Sequence, residues 1–318
     1  MCVVCERKSE SVPEGEPKDI LKALKERGER YKKLNVWELK EAAKADGEDE
    51  GGEEFLPEEI VIAAVLATAF YEQGKGPAKK LVQIMKDGGV SALDEAIAAV
   101  DQDFDDIFDN PGTEREVRAE IRSVLAKGSS LSGSEREIFR IASTKQTLDE
   151  MVAATKYFTN HYFNDHVVPD LKTIIQKIIE ADVNVDVEAY RAIREAMSNR
   201  LKSVPYWRLV ANAAASRGFH YGAIKAGMTQ GHRAYRIVAV LDNRTSEICK
   251  HMNGKEFWVA DAELQVVRAA LAQGDEIKYV APWLREAEIV GKNADELREL
   301  GFIVPPFHGH CRSTIRFV

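Results

Sequence analysis

From residue 57 to about residue 202 nearly every local signal is that of an α-helix, and this one stretch decides most of what the chain can become. Pro57 stands just ahead of Glu58 and Glu59. That order suits a first helical turn, where a missing amide costs nothing and carboxylates meet the positive helix end. Ser91 with Asp94, Thr113 with Glu116 and Ser134 with Glu137 have the three-residue spacing of capping pairs. Val117, Ile121 and Leu125 recur at helical period, as do Leu171, Ile174, Ile175 and Ile178. Gly128 reads as a helix end. About five to seven helices are expected. The longest apolar run, near residues 60–70, is about half of the ~20 residues a spanning helix needs, so no membrane partner is expected.

After Pro205 the pattern changes. A helix through Trp207, Leu209, Val210 and Ala213 is predicted to stop at Gly218, and a short one near Ile224 to stop at Gly227. Residues 235–241 are rich in β-branched and aromatic side chains, and Asp242 with Asn243 supplies turn chemistry, which predicts a strand. Phe257, Trp258 and Val259 suggest a second strand, two amphipathic helices fill about 262–300, and Phe317 onward is at most a short edge strand. Ahead of the helical region, residues 18–44 read as one or two surface helices. Between Asp46 and Glu59 there are eight acids and no base, too little apolar surface to order alone. The chain divides into a charged arm and acidic linker (1–59), a helical domain (60–200) and a small α+β domain (201–318).

Lysine and arginine total 44 against 52 acids, a net charge of −8, which on average repels nucleic acid. Any contact with DNA has to come from a local patch. One candidate exists: Arg200, Lys202, Arg208, Arg217, Lys225, Arg233 and Arg236 lie in a stretch with no acid, interleaved with Tyr206, Trp207, Phe219, Tyr221 and Tyr235. It reads either as a face for phosphates or an acidic partner, or as side chains spread over several faces. The first residues become charged within six positions and lack a secretory pattern, so the cytoplasm is the expected place of synthesis. Four cysteines are too few and too widely spread for a disulfide framework. Cys2 and Cys5 read as a chance pair, and the glycines near Gly74 and Gly88 lack the pattern of a phosphate loop.

The segment LDNRTSEICKHMNGKEF at 241–257, followed after an insertion by PPFHGHCRST at 305–314, carries the specific signal. Its residues Asp242, Arg244, Thr245, Cys249, Gly254, Phe257, Pro305, Pro306, His308, Cys311 and Arg312 resemble the signature of the phage Mu protein F type of minor head, or head morphogenesis, protein. Arg217, Gly218 and Gly227 upstream also fit. The resemblance covers about residues 202–318. It implies a structural virion component, not an enzyme, with the portal protein, the major capsid or scaffold protein and packaged DNA as partners. Assembly would take place in the host cytoplasm, and the roles would be head assembly, DNA packaging or DNA ejection. Many members carry a Cys-x-x-Cys pair and a Cys-Arg-Cys triplet; here Ser246 and Ser313 stand at the outer positions.

What the remaining thiols do is open at the level of sequence. Zinc takes about four N or S ligands, and Cys249, His251, His308 and Cys311 could supply them if the blocks meet and the 249–251 stretch is extended. Alternatively both cysteines are small buried hydrophobes with no cofactor, the reading favoured here because serine is a poor zinc ligand. A Cys249–Cys311 disulfide is a third arrangement, disfavoured in a reducing cytoplasm. Asp242 with Arg312 is expected as a buried pair that fastens a loop. The rival from another class is a nuclease or toxin-related transferase drawn from the same His, Cys and Arg residues; no second acid is placed for metal-dependent phosphodiester cleavage.

Overall fold

The computed structural model describes residues 57–130, 142–181, 185–201, 204–272, 276–280 and 282–318. The arm at 1–56, the Ser134/Glu137 pair and Lys202 lie outside them. The molecule is mainly helical, with a small antiparallel sheet near its C-terminus. Seven α-helices fill the described part of 57–201: α1 (Pro57–Gly88), α2 (Leu93–Ala98), α3 (Asp101–Asp105), α4 (Pro111–Ser130), α5 (Ala142–Asn160), α6 (Val168–Glu180) and α7 (Val185–Leu201). They are followed by α8 (Val204–Thr229), β1 (Ala234–Val238), α9 (Glu247–Met252), β2 (Glu256–Trp258), α10 (Val259–Leu271), α11 (Ile277–Val280), α12 (Glu286–Ile289), α13 (Ala294–Glu299) and β3 (Thr314–Phe317).

Helix α1 is described from Pro57, and the apolar run behind that residue becomes the centre of a bundle. From Pro57 to Phe70 only Thr68 is exposed, so this part of the helix is apolar on all sides because it is enclosed on all sides. No helix among the described residues is long and apolar enough to cross a membrane. Burial extends to the first-turn acids. Glu58 is fully buried and accepts from Ser123 Oγ at 2.7 Å and from Lys127 Nζ, 2.8 Å away, while Glu59 accepts from Asn212 at 3.2 Å. The aromatic centre is Trp207 of α8, whose ring lies 5.0 Å from Phe70, 4.9 Å from Tyr162 and 5.0 Å from Tyr206.

The glycines overturn the expected helix ends. Gly128 lies inside α4, and Gly218, Gly222 and Gly227 all lie inside α8, a single unbroken helix. They are points of close approach. A Cβ at Gly128 would stand 1.8 Å from Phe219 O, one at Gly222 2.1 Å from Leu125 O, and one at Gly227 2.3 Å from the Phe317 ring. Removing the side chain lets the backbones of α4 and α8 nearly touch, and that contact compensates for glycine's weak helix propensity. Helix α8 packs on α1, α4 and α5 on one side and on α10 and β3 on the other. A boundary at residue 200 therefore cuts through one continuous core running from Val61 to Ile315.

Other expectations shift locally. Ser91 belongs to a 3₁₀ turn and bonds back to Gly88 O, and Thr113 lies inside α4, where Asn110 Oδ1 accepts from Gly112 N at 2.8 Å instead. Among the described residues, the region read as two helices holds four, α10 to α13. Asn293 and Glu296, a pair the sequence reading passed over, cap α13 reciprocally. The sheet has the order β2-β1-β3, with Tyr235 paired to Phe257 on one side and Phe317 on the other. Strand β1 stops at Val238, three residues short of the expected end. Val259 opens α10, although its amide still bonds Arg233 O at 2.9 Å in continuation of the ladder.

Buried His220 on α8 makes the stability of this bundle pH-dependent. Its Nδ1 lies 2.7 Å from Ser216 O, and loss of hydration pushes its pKa down from 6.5 to about 4. Above pH 6.5 both folded and unfolded chains are neutral at this site. Between pH 6.5 and 4 only the unfolded chain takes the proton, so stability is lost as the pH drops, by about 3 kcal/mol over that window. Urea melts at stepped pH values should show a flatter profile for His220→Leu; an unchanged slope would exclude this residue as the source.

Candidate metal centre

Two chain segments 62 residues apart meet on one side of the sheet. The first is the loop between β1 and β2. Thr245 Oγ1 donates to Val240 O at 2.5 Å and accepts from Asp242 N at 2.8 Å, and Asp242 Oδ1 accepts from Arg244 N at 2.9 Å. Short side chains that bond their own backbone fold the loop into a compact turn. Ser246 then caps α9, its Oγ accepting from Cys249 N at 3.2 Å, which carries Cys249 to the buried face. The turn back into β2 uses Gly254 at φ +80°, a conformation glycine adopts without penalty, and Gly254 N donates to Ile237 O at 2.8 Å.

The second segment, 302–313, runs under β1 and is tied to it by Tyr235 Oη, which donates to Ile303 O at 2.8 Å. It carries a cis Pro305–Pro306 peptide, with Pro306 buried, and His310 at φ 57°. Those bends present His308 and Cys311 to Cys249. The two Sγ atoms are 3.7 Å apart, His308 Nε2 lies 3.0 Å from Cys249 Sγ, and the three ligand atoms all fall within 4.8 Å of one another. Such a group could hold a metal ion. His308 Nδ1 is 2.7 Å from Gly309 O, an arrangement that fixes the proton on Nδ1 and leaves the Nε2 lone pair turned to the sulfurs.

Both serines at the outer motif positions point into the same site: Ser246 Oγ is 2.8 Å from His308 Nε2, and Ser313 Oγ donates to Cys249 Sγ at 3.2 Å. Their spacing in the sequence was the signal, although serine's weak affinity for zinc had set them aside. Cys249 and Cys311 are free thiols, 4% and 5% exposed. Cys249 is the thiol that ionises first: the Cys311 S–H bonded to it stabilises its thiolate against the cost of burial, with a further bond from Ser313 Oγ. Cys311 is pushed up by donating that bond and by its own burial.

His251 does not join them. The 249–251 stretch is helical, not extended, so two residues of helix turn His251 away, and its Nε2 lies 3.2 Å from Lys292 O. Arg312 meets Asp242 in a two-pronged pair at 2.7 Å on both oxygens, the expected partner but at the surface, with side chains 18% and 33% exposed. The guanidinium holds the Asp242 carboxyl well below the usual carboxylate range.

Among the described bases of 200–236, several are partly buried or paired with acids. Arg217 is half-buried beside Tyr221 in a pocket also lined by Gln265 and Pro306, and burial lowers its pKa. Lys225 pairs with Glu263, Arg200 with Asp170 and Arg236 with Glu256; Arg208 is half-buried and Arg233 is exposed. The acids that answer these bases come from distant parts of the chain, which their local sequence could not reveal. No protein-family model, curated protein or solved structure matches the chain.

Proposed function

We propose that this protein is a minor head protein of a tailed bacteriophage, a non-enzymatic virion component that acts at the portal vertex in head assembly and in DNA packaging or ejection. The supporting observation is that the two motif blocks close on each other, Cys249 on Cys311 and Asp242 on Arg312, into one knot. A knot whose thiols are about 95% covered has little surface left for a substrate, which favours fastening over turnover. In this reading the outer face of the sheet, where Arg236 and Arg316 stand opposite each other and exposed, is the surface left for DNA, and the portal protein is the main partner.

Within the same reading the ion at the knot is zinc. Two thiolates bound tetrahedrally at about 2.3 Å stand about 3.8 Å apart, against the 3.7 Å between Cys249 and Cys311. His308 is the third ligand, and a water molecule or one serine hydroxyl completes the shell.

Co-expression with the portal protein of the same phage tests the role. The expected result is a complex that survives size exclusion, together with a few copies per particle in purified virions. Failure to bind the portal, combined with hydrolysis of DNA, RNA or NAD that disappears in His308→Ala, would overturn it.

A further inference from the structure

We infer that Cys249 and Cys311 form a two-electron oxidation site, at which a small peroxide closes a disulfide between the two blocks of the motif. The sulfurs face each other at 3.7 Å with no atom required to leave from between them, and a disulfide needs about 2.05 Å. Both thiols are buried, so the oxidant has to be small: hydrogen peroxide fits where a protein oxidoreductase or a bulky disulfide does not. The partner thiol is already in place, so the first oxidised sulfur is resolved within the site.

The chemistry balances in two steps. Cys249–SH and H2O2 give Cys249–SOH and one water, as the peroxide O–O bond breaks and sulfur supplies the electron pair. Cys311 sulfur then attacks Cys249 sulfur, the S–O bond breaks, and the hydroxyl leaves with the Cys311 proton as a second water. Where zinc is present, which rests on the reading above, both thiolates are consumed: the complex, H2O2 and two protons give the disulfide, free Zn2+ and two waters. The ion holds the knot while the chain is in a reducing cytoplasm, and the disulfide replaces it once a particle meets oxidising surroundings. The covalent bond spans 62 residues of chain, so the oxidised protein gains the stability of a long closed loop.

The experiment uses full-length protein with Cys2→Ser and Cys5→Ser, so that only this pair can cross-link. After treatment with hydrogen peroxide, non-reducing peptide mapping should show a Cys249–Cys311 cross-link in most chains and a higher melting temperature that a thiol reductant reverses. Cys311→Ser should leave a sulfenic acid on Cys249 that dimedone traps when the oxidised protein is unfolded in its presence. A chromogenic chelator added during oxidation should report zinc release in step with the cross-link. A cross-link in protein that never held zinc would support the oxidation site and count against the zinc reading alone. Sulfinic acid on either cysteine without a cross-link, or thiols that remain fully alkylatable, would overturn the inference.

Discussion

Gly222→Leu is expected to prevent the helical bundle from folding, and Gly222→Ala to destabilise it by about 3 kcal/mol, the upper end of the range for overpacked interiors. The obstacle is backbone against backbone. A Cβ at Gly222 would lie 2.1 Å from Leu125 O and 3.0 Å from its carbonyl carbon, and neither can rotate aside. Relief requires α4 and α8 to separate, and separation opens gaps around Val117, Ile121, Val124 and Leu125, all buried in the core. The paired contact, Gly128 against Phe219 O, would be lost with it. Gly76, also in a helix but with no atom beyond its own chain neighbours and helix backbone within 4 Å of its Cβ position, provides the control: in Gly76→Ala the gain in helix propensity is offset by crowding against Pro77, and stability should change by less than about 1 kcal/mol. Urea denaturation of the three variants checks this, and equal effects at Gly222 and Gly76 would remove close helix approach as the explanation.

Cys249→Ser and a strong zinc chelator should each unfold the region around β1, α9 and the 302–313 segment, because metal binding and folding share one free energy. The substitution removes a ligand, and the chelator removes the ion; if both act through the metal, their effects coincide and do not add. Metal analysis of the purified protein should find about one zinc per chain. Packing alone predicts otherwise: a cost of ~1 to 3 kcal/mol for Cys249→Ser, and no response to chelator. Hydrogen exchange in the 240–258 and 302–315 backbone, with and without chelator, distinguishes the two. Protection that ignores the chelator, in protein free of zinc, would leave the knot to hydrogen bonds and burial.

The site residues were legible to different degrees, for reasons that can be traced. Cys249, His308, Cys311, Asp242 and Arg312 could be picked out because two short motifs with fixed internal spacing stand in order, and such motifs serve one place. His251 stayed open because its participation depended on the conformation of a six-residue stretch. Ser246, by capping α9 through Cys249 N, made that stretch helical. The basic run from Arg200 to Arg236, open in the sequence between a shared face and scattered side chains, was hard to read for another reason. Its local sequence has no acid, yet Asp170, Glu256 and Glu263 arrive from other elements and pair with three of its members.

The sequence by itself determined the helical character of the described part of 57–201, the strands about Tyr235 and Phe257, and the motif that marks the site, since each rests on residues close together in the chain. Helix propensity, a capping proline and β-branched runs act over a few residues and need no partner to be read. Tertiary structure alone decided that Gly128, Gly218 and Gly222 are contact points inside helices, that α8 joins the bundle to the sheet in one core, and that two thiols 62 residues apart stand 3.7 Å from each other. A glycine has the same local preferences whether it ends a helix or admits another backbone. The difference lies in the free energy of the helix packed against it, and that energy belongs to contacts between residues far apart in sequence.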